Sequence, residues 1–205
     1  MPDIAQLSRY TYNPRSRRYT DRVSGRFVAA KDVRQAVDAI IDKETDKIRN
    51  VAQQLVDGQI NLAEWQIQTT AILKKLHVAM GIAANGGFQN MSQADLGYIG
   101  SLVKKQYKFL RSFAKQIKNG GQALDGTLVS RSALYTQASR NTYEDVAGRS
   151  ARNGGMKESR SILGTADHCS LCLSEAKRGW VPIGSNIPIG ERTCLANCHC
   201  SLEYR

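Results

Sequence analysis

The chain has 205 residues, enough for one globular domain with a sizeable core or for a helical body carrying a small satellite module. Its 29 Lys and Arg against 18 Asp and Glu give a net charge of +11, an imbalance that answers a polyanion such as nucleic acid or an anionic membrane surface. Residues 1–10 lack the apolar core of a secretory signal and the apolar run 79–84 is too short to span a bilayer, so the expectation is a chain made in the cytosol with no membrane segment.

Between Arg9 and Arg34 eight Lys or Arg face two acids, interleaved with Tyr10, Tyr12, Tyr19 and Phe27 and punctuated by Asn13-Pro14 and Ser24-Gly25. Residues 1–30 therefore read as a basic extended arm with room for a short hairpin at its turn signals. Arg15, Arg17 and Arg18 are its candidate phosphate contacts; the alternative is a solvated tail that packs its aromatics on the body.

Residues 31–154 read as a helical body, a bundle of about four helices. Val33, Val37, Ile40, Ile41, Ile48, Val51 and Leu55 recur at three and four, one face of a helix over 31–56 that ends at Asp57-Gly58. Asn61 with Glu64 caps a second helix, striped by Trp65, Ile72, Leu73, Leu76 and Met80 and stopped by Gly86-Gly87. His77 beside that stripe reads as a packing residue. Ser92 with Asp95 opens a third helix, closed by Gly120-Gly121. At about 100° per residue, Lys104, Lys108, Arg111, Lys115 and Lys118 line one side, and Ile99, Leu102, Val103, Leu110, Phe113 and Ile117 the other. No acid falls between positions 104 and 118, so these cations repel one another unless an anion neutralises them. Contact with a phosphate backbone and a merely solvated face are the two readings of that stripe. A fourth helix is expected over 130–152, using Leu134, Tyr135, Ala138 and Val146, before Asn153-Gly154-Gly155 breaks the chain.

Residues 155–205 hold all five cysteines. An odd count cannot pair completely as disulfides and a reducing cytosol disfavours such bridges, which moves the weight toward metal ligation, with a disulfide-bearing or reduced cluster as the alternative. A short strand over 159–163 leads to Cys169 and Cys172, whose Cys-x-x-Cys spacing lets two thiolates reach one ion from a tight turn. The second half, Cys194, Cys198 and Cys200, follows after a Gly- and Pro-rich loop, in the manner of a zinc ribbon, with Zn as the structural ion. Cys169, Cys172 and Cys194 are the natural first three ligands. Either Cys198 or Cys200 is the fourth, Cys198 being slightly preferred, and His168 or His199 can substitute. Trp180 in the loop is expected to cover the site.

Catalysis is not expected. Asp167, Glu175 and Glu191 stand in no metallohydrolase pattern, and there is no Gly-rich phosphate loop or serine elbow. A redox Cys-x-x-Cys belongs at a helix start within an alternating strand and helix pattern, which is not read here.

The C-terminal order of Cys169-x-x-Cys172, a Gly and Pro loop, then Asn197-Cys198-His199-Cys200 and a short apolar ending resembles the phage Mu gpF-like minor head proteins of tailed bacteriophages. Tyr19 followed by Ser24-Gly25-Arg26-Phe27-Val28 and a long helix is similar to the start of such head morphogenesis proteins. The likeness covers about the last forty and the first forty residues, and the helical middle carries no motif of its own. Many members carry a histidine three residues before the terminal cysteine pair and an arginine inside it, where this chain has Leu195 and His199, so Cys194 takes over the histidine's place as ligand in this reading. The resemblance implies a minor structural protein of the virion, near the portal vertex inside the capsid, assisting head assembly and handling of the packaged genome. Portal or capsid proteins and double-stranded DNA, contacted without sequence specificity, are then its partners, and a homo-oligomeric arrangement in the virion is compatible with it. The alternatives are a head-to-tail connector and, less well supported, a free zinc-containing DNA-binding protein. Against the last, residues 155–205 hold six Lys or Arg against five acids and are nearly neutral.

Overall fold

A computed structural model describes residues 4–13, 16 and 18–205 of the chain, so Arg15 and Arg17 lie outside the described residues. The protein is mainly helical, with two small sheets and a cysteine cluster near its C-terminus. Among the described residues no helix is long and apolar enough to cross a membrane.

The segment expected to be an extended arm is folded. A 3-10 helix at Ile4–Arg9 leads into β1 (Tyr10–Asn13), β2 (Arg18–Asp21) and β3 (Phe27–Val28), an antiparallel meander in which Tyr12 pairs with Tyr19 and Thr20 with Phe27. Packing and hydrogen bonds both hold it. Leu7 is buried among Val37, Ile40, Leu76 and Met80 of the helical body. Asp21, also buried, accepts hydrogen bonds from the Arg9 guanidinium, from Ser24 Oγ at 3.0 Å and from the Val23 amide at 2.9 Å. That cradle, led by the Arg9 hydrogen bond, holds the Asp21 carboxyl well below its usual pKa. The Tyr12 amide donates to Gly86 O, which ties the meander to the end of the second helix.

The body comprises α1 (Ala30–Val56), α2 (Leu62–Ala84), α3 (Gln93–Lys118), α4 (Gly126–Gln137) and α5 (Ser139–Asn153). The two capping boxes are formed as the sequence predicts: Asn61 with Glu64 starts α2, and Ser92 with Asp95 starts α3. Asp95 also accepts from Arg149 of α5 at 3.0 Å, and these bonds, Ser92's first, bring its pKa down to about 2. α2 packs against α1, α3 and α5. Gly81 permits the approach to α3, since a Cβ there would stand 2.3 Å from Ile99 Cδ1. The apolar stripes fill two clusters, one around Ile40, Met80, Ile99 and Val146, the other around Ile48, Trp65, Leu110 and Phe113.

The single helix expected over 130–152 is instead two. α4 begins earlier because Asp125 caps it, accepting from the Thr127 amide at 2.8 Å, and the chain turns at Ala138 into α5. The core face of α4 is Leu128, Ser132, Ala133 and Thr136, while Leu134, expected inside, is 40% exposed. Ser132, Ala133 and Thr136 let α4 lie close on α1, with the buried Thr45 and Thr136 hydroxyls 2.7 Å apart and the Ile41 and Ala133 carbonyls as further acceptors in their own helices.

The C-terminal sheet has β4 (Glu158–Ile162) at its centre, flanked by β5 (Val181–Pro182) and β6 (Ser201–Tyr204), both antiparallel to it. A short helix, α6 (Ser170–Lys177), follows β4. The Leu202 peptide of β6 is clamped to the body at both ends: its amide donates to Glu144 Oε2 of α5 at 3.1 Å, and its carbonyl accepts from Arg34 of α1 at 2.6 Å.

Candidate metal centre

The five sulfurs are brought together by three short pieces of structure. Cys169 is the residue that caps α6, its Sγ accepting the Cys172 amide at 3.4 Å, and a helical start places positions three apart on one face. A 3-10 turn at Leu195–Asn197 brings Cys194 and Cys198 back toward that face, and the lead into β6 adds Cys200. The turn is strained at Leu195, whose φ is 48°. Gly164 is required by the same closure, because a Cβ there would meet the His199 carbonyl oxygen at 2.0 Å.

Cys169 and Cys194 sulfurs lie 3.6 Å apart, Cys172 and Cys194 3.5 Å, and Cys172 and Cys198 3.7 Å. All five are free thiols, far beyond the roughly 2.05 Å of a disulfide. With metal–sulfur bonds of about 2.3 Å, the sulfurs of a tetrahedral thiolate site sit about 3.8 Å apart, so these separations fit ligands converging on an ion. Two groups of three sulfurs gather within 4.8 Å of one another, Cys169, Cys172 and Cys194 in one and Cys172, Cys198 and Cys200 in the other. All five cysteines named from the sequence thus belong to one cluster that could hold a metal ion, with Cys172 common to both groups.

Arg192 is the residue that sequence reasoning missed. It is fully buried, donates to Ile187 O at 3.1 Å and Ser161 Oγ at 3.0 Å, and directs Nη1 at the Cys172 sulfur 3.8 Å away. Among the described residues no carboxylate pairs with it. A buried guanidinium without a counter-charge is costly, and the thiolates of a metal centre are the neighbours able to supply one. Its only signal in the sequence is a lone Arg two residues before Cys194.

Burial pushes the free Cys172 and Cys194 thiols up and that of Cys200 up to about 12, whereas the Cys172 amide brings Cys169 down to about 6. A bound cation reverses the penalty on these three. The Cys-x-x-Cys pair sits at the start of α6, after β4. Three further thiols crowd it, which distinguishes it from an isolated redox pair.

His168 Nδ1 lies 3.8 Å from Cys200 Sγ at the edge of the cluster. His199 is outside both groups, and burial and then Arg140 lower its pKa. Trp180 does not cover the site. Its ring packs instead under the guanidinium groups of Arg160 and Arg205, 4.9 and 4.4 Å from its centre. Glu175, buried on α6, accepts from Arg178 and from the Ile187 amide and so fixes the loop that carries Arg192.

Lys104, Lys108, Arg111, Lys115 and Lys118 are all exposed on α3, opposite the buried Ile99, Val103, Leu110 and Phe113. None of the five forms an ion pair among the described residues. Arg18 is exposed on β2, its guanidinium 5.0 Å from the centre of the Phe27 ring. His77 is buried, its Nδ1 2.7 Å from Thr142 Oγ1 of α5, and burial lowers its pKa to about 4, in keeping with a packing role.

Comparison with family models, with curated proteins and with solved structures returns no match.

Proposed function

We propose that this chain is a structural, non-catalytic minor head protein of a tailed bacteriophage, near the portal inside the capsid, that assists head assembly and packaging or ejection of the genome. The observation that carries the DNA-contacting part is the α3 stripe: five exposed cations, unpaired among the described residues, on the outer face of a helix whose inner face is locked into the core. Cations so placed neutralise phosphates and read no base sequence. Arg15, Arg17 and Arg18 add to that charge. The order of cysteines at the C-terminus supports the head assignment through its likeness to the gpF-like proteins.

In this reading the body is a bundle of four sides, formed by α1, α2, α3 and the α4–α5 pair, and the C-terminal module is zinc-ribbon-like. Zn is the ion of choice for a closed thiolate set, and its task is structural. The module then acts as a clasp: metal holds α6, the cysteine turn and β6 together, and the Arg34 and Glu144 clamp docks β6 on the body. Portal or capsid proteins are the protein partners.

The test is binding to duplex DNA across a salt series. Five phosphate contacts predict a slope of log K against log salt of about −4.5. The triple variant K108E/R111E/K115E is expected to lose binding alike on unrelated sequences. Salt-independent binding, or a triple variant that binds like the parent, would overturn the DNA-contacting role.

A further inference from the structure

The cluster offers more donors than one closed site takes, and their arrangement is not that of four ligands and a spare. Two groups of three sulfurs share Cys172. Resting on the metal reading above, we infer that the centre holds two thiophilic divalent ions, Zn in the first instance, bridged by the Cys172 thiolate.

Three observations carry this. The first is the donor count. A single tetrahedral ion takes four donors, whereas two ions that share one thiolate engage all five cysteines. Cys169 and Cys194 lie on one side of Cys172, while Cys198 and Cys200, with His168 Nδ1 3.8 Å from the Cys200 sulfur as a further donor, lie on the other.

The second is position. Bridging thiolates belong at the middle of such a cluster, away from water. Cys172 is 1% exposed, and its sulfur stands between the two groups, 3.5 Å from Cys194 of one and 3.7 Å from Cys198 of the other.

The third is charge. Five thiolates against two divalent ions leave one net negative charge, and the fully buried Arg192, whose Nη1 approaches the bridging Cys172 sulfur, cancels it. One divalent ion on four thiolates would leave two negative charges against the same single guanidinium, which is the costlier arrangement in a buried site.

Native mass spectrometry of the full chain, purified with zinc present, counts the ions. Two per chain is the expected result, falling to one in the H168A/C200S variant. One ion in the parent chain would overturn the two-ion centre while leaving the single-metal clasp standing, and none would remove both. Cadmium-113 NMR of the Cd-loaded parent reads the bridge without any substitution. Two resonances split by mutual coupling through the shared sulfur are expected; a single resonance, or two without coupling, would contradict it.

Discussion

Replacing Arg192 by Met should change stability in opposite directions with and without metal. The side chain is fully buried, and its polar contacts are the Ile187 carbonyl, Ser161 Oγ and the Cys172 sulfur. In the metal-free protein Cys172, Cys194 and Cys200 are held protonated by burial, so the guanidinium is a buried charge facing largely neutral partners. Met has similar length and no charge, and it should stabilise that form by about 1–4 kcal/mol, the range seen when buried ionic groups give way to apolar ones. In the metal-bound protein the same change removes the counter-charge of an anionic cluster. Loss of such an outer partner typically lowers metal affinity about 10–100-fold, or roughly 1.4–2.7 kcal/mol. The assay is chemical denaturation of the C-terminal module with and without zinc, paired with competition against a chromophoric chelator. A variant that binds zinc as tightly as the parent would refute the counter-charge role, and so would destabilisation of the same size in both forms.

Chelation should abolish amide protection over residues 160–205 while α1, α2 and α3 keep theirs, because the module's small apolar cluster is built largely of the cysteines themselves. Protection unchanged by chelator would show that the clasp needs no metal. Glu144 and His77 should oppose each other in the pH dependence of stability. Burial raises Glu144 to about 7, so as pH rises from about 4.5 to 7 the unfolded chain gives up its proton first and stability falls. Burial lowers His77 to about 4, so as pH falls from about 6.5 to 4 the unfolded chain takes up a proton first and stability falls in that direction. Denaturation of the E144Q variant should therefore show stability rising with pH more steeply than the parent over pH 4.5–6.5; an unaltered profile would contradict the burial of a protonated Glu144.

The long helices were legible because their apolar residues repeat at helical spacing and their ends carry explicit caps, Asn61 with Glu64 and Ser92 with Asp95. The cysteine cluster was legible from spacing alone. What was not legible is carried by side chains that leave no periodic trace. Beyond Leu128 the inner face of α4 is Ser132, Ala133 and Thr136, too small and polar to register as a stripe, so the pattern points the exposed Leu134 inward and carries no sign of the turn at Ala138. The N-terminal meander rests on Leu7 and on one buried carboxylate, Asp21, partnered by Arg9 twelve residues earlier. In a run of eight cations nothing marks Arg9 as the partner of Asp21. Arg192 was hidden for the same reason: a lone basic residue in a loop reads as solvated until the fold buries it.

The central claim, a head protein lying against packaged DNA, is tested most directly by quantitative mass spectrometry of particles produced by the genome that encodes this chain. The account predicts that the chain is present in tail-free, DNA-filled heads and is shielded from added protease until the heads are opened. Its absence from purified heads would contradict the account.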